Sequence, residues 1–147
     1  MRKGKKFARR LLRLAAFLEK LPRKRFDYGN WVGDDWKGKP DLSCGTTACA
    51  LGWATAMPEF RRLGLVMVQE LNDEGVSVTG YVALKGIRYS NEYDAACEVF
   101  GMEHDDIDRV FMPGDAYTCS GLPLSATPKQ VARHIRKFVK RETGVVA

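Results

Sequence analysis

Residues 5–21, KKFARRLLRLAAFLEKL, constrain the fold more than any other stretch of the chain. Phe7, Leu11, Leu14, Leu18 and Leu21 recur at steps of four and three, and Ala8, Leu12 and Ala15 widen the stripe. That period places the apolar side chains on one face of an α-helix. Lys6, Arg9, Arg13 and Lys20 fall on the opposite face, and Pro22 ends the run because it cannot continue the hydrogen-bond ladder. Such a helix holds in water mainly by burying its stripe, so a core must form against it. A second helix of the same kind is predicted near the other end. Thr127 is its N-cap, Pro128 occupies the first helical position and Gln130 completes a capping box. Val131, Ile135 and Phe138 form its buried stripe, with Lys129, Arg133, Arg136, Lys137 and Lys140 outside.

Between these two helices the pattern is mixed. Residues 22–43 are rich in Gly, Asp and Pro and lack periodicity, which predicts a long loop carrying Phe26, Tyr28, Trp31 and Trp36. A helix is predicted over residues 46–57, stopped by Pro58, then a short helical turn closed by Gly64. Residues 65–84 alone have strand character and form a hairpin about a turn at 72–75. A helix capped by Ser90 or Asn91 follows, with Tyr93, Ala96, Cys97 and Phe100 as its apolar side and Gly101 as its end. Another short helix runs through Ile107, Val110 and Phe111, all facing inward, and stops at Pro113-Gly114. The fold class expected is a single mostly helical α+β domain, residues 1–147, of five or six helices and one β-hairpin. The terminal basic helices are expected to pack near each other around the helix that follows Cys44.

The net charge of +6 conceals a polarity. Residues 1–25 carry eleven Lys and Arg against one acid, and residues 128–142 six against one; everything between is acidic by nine charges. Two readings follow. The basic ends face an anionic partner, or they complement the acidic middle within the fold. No run of apolar residues is long enough for a membrane span, so no membrane partner is expected. Four cysteines without a secretory signal point to reduced thiols and a cytoplasmic setting.

The segment SCGTTACALGWAT, residues 43–55, is the most distinctive. Zinc is not expected there: Cys44 and Cys49 are a possible ligand pair by spacing, but Cys97 and Cys119 are scattered and His104 and His134 do not pair. No cofactor is implied. A thiol-dependent enzyme is the alternative class, with Cys44 as nucleophile at a helix N-terminus and His104 as base. An anion site is the other chemistry at this place. Gly45, Thr46 and Thr47 open a helix, so their amides and hydroxyls can meet a phosphate, with Tyr28, Trp31 and Trp36 stacking on a base. The plainer reading is that Ser43 or Thr46 caps the helix and the rings anchor the loop. Lastly, Lys6, Arg9, Arg13, Arg133, Arg136, Lys137 and Lys140 are candidates for a basic surface that holds nucleic acid or an acidic host protein. No helix-turn-helix, zinc-finger or RNP signature accompanies them, so nucleic-acid binding through them would be non-specific or led by shape.

Several of these pieces occur in a familiar order. Leu14-Ala15, Leu18-Glu19, Leu21-Pro22 and Phe26-Asp27 precede Cys44-Gly45-Thr46, Ala48-Cys49 and Gly52-Trp53-Ala54. Phe100-Gly101-Met102, Ile107, Val110-Phe111, Thr127-Pro128, Val131-Ala132 and Ile135 follow. This order resembles a loose group of small uncharacterised proteins found in bacterial and phage genomes. The resemblance implies a context and carries over no functional residue: a compact, phage-borne accessory protein acting against a host system, where a binding surface alone suffices for an inhibitor of a host defence system. Binding of an anionic partner, whether nucleic acid, a nucleotide-type ligand or an acidic host protein, is therefore the function expected from sequence.

Overall fold

A computed structural model describes residues 1–2, 4–28, 49–71, 73–74, 77–87 and 90–146, with the side chains of 69–71 and 77–80 left undescribed. Its helices are α1 (Lys5–Lys20), α2 (Ala50–Ala54), α3 (Pro58–Arg61), α4 (Glu92–Phe100), α5 (His104–Phe111) and α6 (Pro128–Thr143). A single 3-10 turn, Arg23–Arg25, follows α1. The strands β1 (Leu65–Leu71) and β2 (Ser77–Leu84) pair antiparallel, so the mostly helical α+β class read from sequence is the fold observed.

The amphipathic stripes become the core. Leu11, Leu14 and Leu18 of α1 and Val131, Ile135 and Val139 of α6 are fully buried. The two helices pack along their length and run in opposite directions: Lys20 lies beside Lys129, whereas Leu12 lies beside Lys140 and Val145. Around them sit α4, α5 and the hairpin. Leu65 pairs with Leu84 and Met67 with Val82, and these four residues turn one face of the hairpin into the core. Ser90 fastens the end of β2, its hydroxyl accepting from the Leu84 N–H at 2.9 Å and donating to the Leu84 carbonyl at 3.1 Å. Asn91 then caps α4 in a capping box with Asp94. Gly101 closes α4 in the left-handed region (φ 65°), and a Cβ there would lie 2.6 Å from the Phe7 ring. Glycine at 101 therefore allows α1 to seat against the end of α4.

Two expectations are corrected. The helix expected over 46–57 is a five-residue one, Ala50–Ala54, whose N-cap is Cys49 rather than Ser43 or Thr46. The Cys49 Sγ accepts from the Gly52 N–H at 3.5 Å, and at the other end the Thr55 hydroxyl donates to the Gly52 carbonyl at 2.6 Å. Residues 46–48 lie outside the described residues. The buried side of α4 is Ala95, Ala96, Val99 and Phe100, so the stripe is rotated from the one expected. Tyr93 is drawn outward because its hydroxyl donates to Asp108 at 2.8 Å, and Cys97 follows it to the half-buried flank.

Candidate functional site

The candidates around the cysteine segment divide at residue 49. Cys44, Gly45, Thr46, Thr47, Trp31 and Trp36 all lie outside the described residues. Tyr28 does not, and its place corrects the expectation of a stacking ring. It is buried in the core and its hydroxyl donates to the Val110 carbonyl at 2.8 Å. Burial pushes its phenol up to about 12, so it is neutral at physiological pH. His134 plays a matching part, with its Nε2 2.7 Å from the Arg109 carbonyl. Together these side chains satisfy two of the carbonyls that the C-terminus of α5 leaves without helical partners. Both aromatic groups thus serve helix termination.

Neither described histidine stands beside a described thiol as a base. His104 begins α5 at the surface, its ring 5.3 Å from that of Tyr93. Cys49 is buried, and desolvation pushes its thiol up to about 12; the protonated thiol is a poor nucleophile. Cys97 is shifted upward for the same reason. Among the described residues no three His, Cys, Asp or Glu side chains converge on a point that would hold a metal ion. Trp53 is buried, and its indole donates to the Arg25 carbonyl at 2.8 Å. The Arg25 guanidinium lies over that ring at 4.8 Å, a cation–π contact that fastens the segment after α1 to α2.

The basic candidates fall into two groups. On one flank of α1 the arginines meet partners inside the fold. Arg10 donates to the Val99 carbonyl at 2.8 Å, Arg13 pairs with Glu59 of α3 through two hydrogen bonds, and Arg2 just before the helix pairs with Glu98 of α4. Lys6 rests over the Phe7 ring at 4.9 Å. The Arg13–Glu59 and Arg2–Glu98 pairs follow the second reading of the charge polarity, basic end against acidic middle.

The other group is gathered at the seam between α1 and α6. Arg133, Arg136, Lys137 and Lys140 surround a cleft of about 220 Å³ whose apolar side is Leu12, Val145 and Val146. A second cleft of about 600 Å³ adjoins it, sharing Arg133 and Arg136 and adding Ala16, Glu19, Lys20 and Lys129. Arg136 is held by Glu19 at 2.6 Å, which fixes its guanidinium on the wall common to both clefts. Lys20, Lys129, Arg133, Lys137 and Lys140 have no ion pair among the described residues. Lys6 and Arg13 line neither cleft. Arg9, spaced seven and eleven residues before Ala16 and Lys20, continues their stripe along α1.

Ala16, Glu19, Lys20, Lys129 and the apolar wall are the members that sequence reasoning did not assign to a site. The two lysines were visible as outer-face positions of their helices. The wall had a fainter signal, two valines directly after the helix-ending Gly144, where a C-terminal cap commonly folds an apolar residue back onto its helix. Val145 packs back in this way, its N–H donating to the Thr143 hydroxyl at 3.1 Å.

Among the described residues no helix is long and apolar enough to cross a membrane. No protein-family model, curated protein or solved structure matches the chain.

Proposed function

We propose that the protein is a small bacterial or phage accessory protein that acts by binding an anionic macromolecular partner along the α1/α6 seam. The observation that carries this reading is the gathering of six cations and one carboxylate around two adjoining clefts, with five of the cations lacking an ion pair among the described residues. Like charges held this close repel one another, and an anion entering the seam relieves that repulsion while gaining attraction. In the setting that the sequence resemblance implies, the partner is a component of a host defence system met in the cytoplasm, and occupation of its acidic face is the inhibitory act. Binding alone suffices for such a role and calls for no cofactor.

The test is a binding titration against two fluorescent probes, polyglutamate and duplex DNA, at two salt concentrations. At least one probe should bind at about 50 mM NaCl and weaken by about tenfold or more at about 200 mM, as expected when several charges are engaged. The R133E/K137E/K140E protein should lose that binding while keeping its melting temperature, and R2E/R13E should keep the binding. If neither probe binds at the lower salt, the reading is wrong.

A further inference from the structure

The seam is not uniformly polar, and its smaller cleft bears on which anion it takes. One side of that cleft is Leu12, Val145 and Val146, with Val146 70% exposed, while four cations stand around the remainder. Covering such a wall with an apolar group releases water and is favourable. A nucleic-acid backbone carries phosphates and sugars whose C–H groups sit among oxygens, and it has no projecting aliphatic side chain to insert there. Bases are held on such surfaces by stacking on aromatic rings, and no ring is among the described residues that line either cleft. A protein segment meets both demands, since carboxylates and aliphatic side chains alternate freely along one chain.

Resting on the proposal that the seam binds an anionic macromolecule, we infer that its occupant is an acidic segment of another protein that inserts an aliphatic side chain against Leu12, Val145 and Val146. Its carboxylates face Arg133, Lys137 and Lys140 and continue into the larger cleft toward Lys129 and Lys20. The length fits a short element. Lys129 and Lys140 are eleven residues apart on one helix, about 16 Å, which a helix of about three turns laid alongside would cover. The walls are prepared for it: Arg136 is already fixed by Glu19, so binding does not have to order that guanidinium. The aliphatic anchor supplies preference among acidic segments, and the cations supply attraction at a distance.

Three probes test this with the full chain: a glutamate-rich peptide carrying leucine at every fourth position, the same peptide with alanine in those places, and duplex DNA. The leucine peptide should bind about tenfold more tightly than the alanine one, the ratio expected for burying about two more methylene groups. V146S and L12S should each shrink that ratio toward one, weakening the leucine peptide far more than the alanine peptide. Because Val146 is exposed at the surface, V146S keeps the test valid even if L12S weakens the fold. Duplex DNA binding more tightly than both peptides would overturn the acidic-segment assignment and leave the anionic reading standing. So would equal affinity for the two peptides. A dimer that forms with rising concentration at low salt, and that R133E/K137E/K140E abolishes, would assign the seam to a second copy of this chain and equally overturn it. Failure of all three probes to bind, with no such dimer, would remove both proposals together.

Discussion

The helices α1 and α6 are each sixteen residues long, carry six Lys and Arg against one Glu, and bury a continuous stripe on the opposite face. Their cations nevertheless meet different surroundings. α1 runs through the middle of the fold, packed against α6, α4 and α2, so carboxylates and carbonyls of its neighbours stand within reach of its flank. α6 packs on α1 and α5; among the described residues only Arg136 of its six cations reaches another element's carboxylate. Arg141 pairs with Glu142, the next residue on its own helix. The same composition thus gives α1 two cross-links to other elements, from Arg10 and Arg13, and gives α6 one, from Arg136, leaving Lys129, Arg133, Lys137 and Lys140 as a ridge without ion pairs among the described residues. Position in the packing decides which, because an arginine near an acceptor makes a local bond and one facing water does not.

The inner faces should not share this difference, and the largest expected effects test that. Leu11 and Ile135 are both fully buried in one core cluster. Leu11→Ala and Ile135→Ala should each lower the free energy of unfolding by about 2–5 kcal/mol, through lost transfer energy and the cavity left behind. Urea denaturation followed by circular dichroism measures both. Were Ile135→Ala nearly neutral, α6 would be an appendage on the core rather than part of it, and the comparison would have to be drawn on different terms.

Most of this architecture is legible in the residues because it rests on local rules. The step of four and three in Phe7, Leu11, Leu14 and Leu18 reports burial directly, and Thr127, Pro128 and Gln130 mark a helix start to the residue. What was not legible depends on contacts distant in sequence. The rotation of α4 hangs on one hydroxyl reaching Asp108, fifteen residues away. The short α2 depends on a cysteine acting as N-cap, a role for which sulfur is a weaker acceptor than the oxygens of Ser or Thr. The site divides in the same way. Arg133, Arg136, Lys137 and Lys140 share a face by spacing alone, so they were found together. That Arg13 leaves the group follows from Glu59, forty-six residues on, which no periodicity in α1 could announce.

A smaller effect separates the outer faces. Arg10 lies half-buried and donates to the Val99 carbonyl, so Arg10→Met removes a charge-assisted hydrogen bond between α1 and α4. A loss of about 1.5 kcal/mol is expected. Arg133 is exposed with no ion pair among the described residues, and Arg133→Met should change stability by less than about 0.5 kcal/mol. The two variants remove the same guanidinium from the same kind of helix, so equal costs in urea denaturation would contradict the distinction between the two surfaces.

The helix starts provide the finest comparison. α6 opens with a complete capping box, the Thr127 hydroxyl accepting from the Gln130 N–H at 3.2 Å and the Gln130 side chain from the Thr127 N–H at 2.8 Å. α1 opens at Gly4 with no side-chain cap and no acid in its first turn; Lys5 and Lys6 stand there instead, against the positive end of the helix dipole. Thr127→Ala should therefore cost about 1 kcal/mol, and Gly4→Asp should add a few tenths of a kcal/mol. The backbone at Gly4 is extended (φ 161°, ψ 131°), which any residue adopts, and a Cβ there would make ordinary contact with Phe7 at 3.5 Å. No steric cost stands against the gain. Because part of that gain is electrostatic, thermal melts of Gly4→Asp and the parent should differ most at low salt and converge as NaCl is raised. A gain that did not depend on salt would assign the effect to the lost flexibility of glycine in the unfolded chain, and α1 would then differ from α6 in backbone freedom rather than in capping.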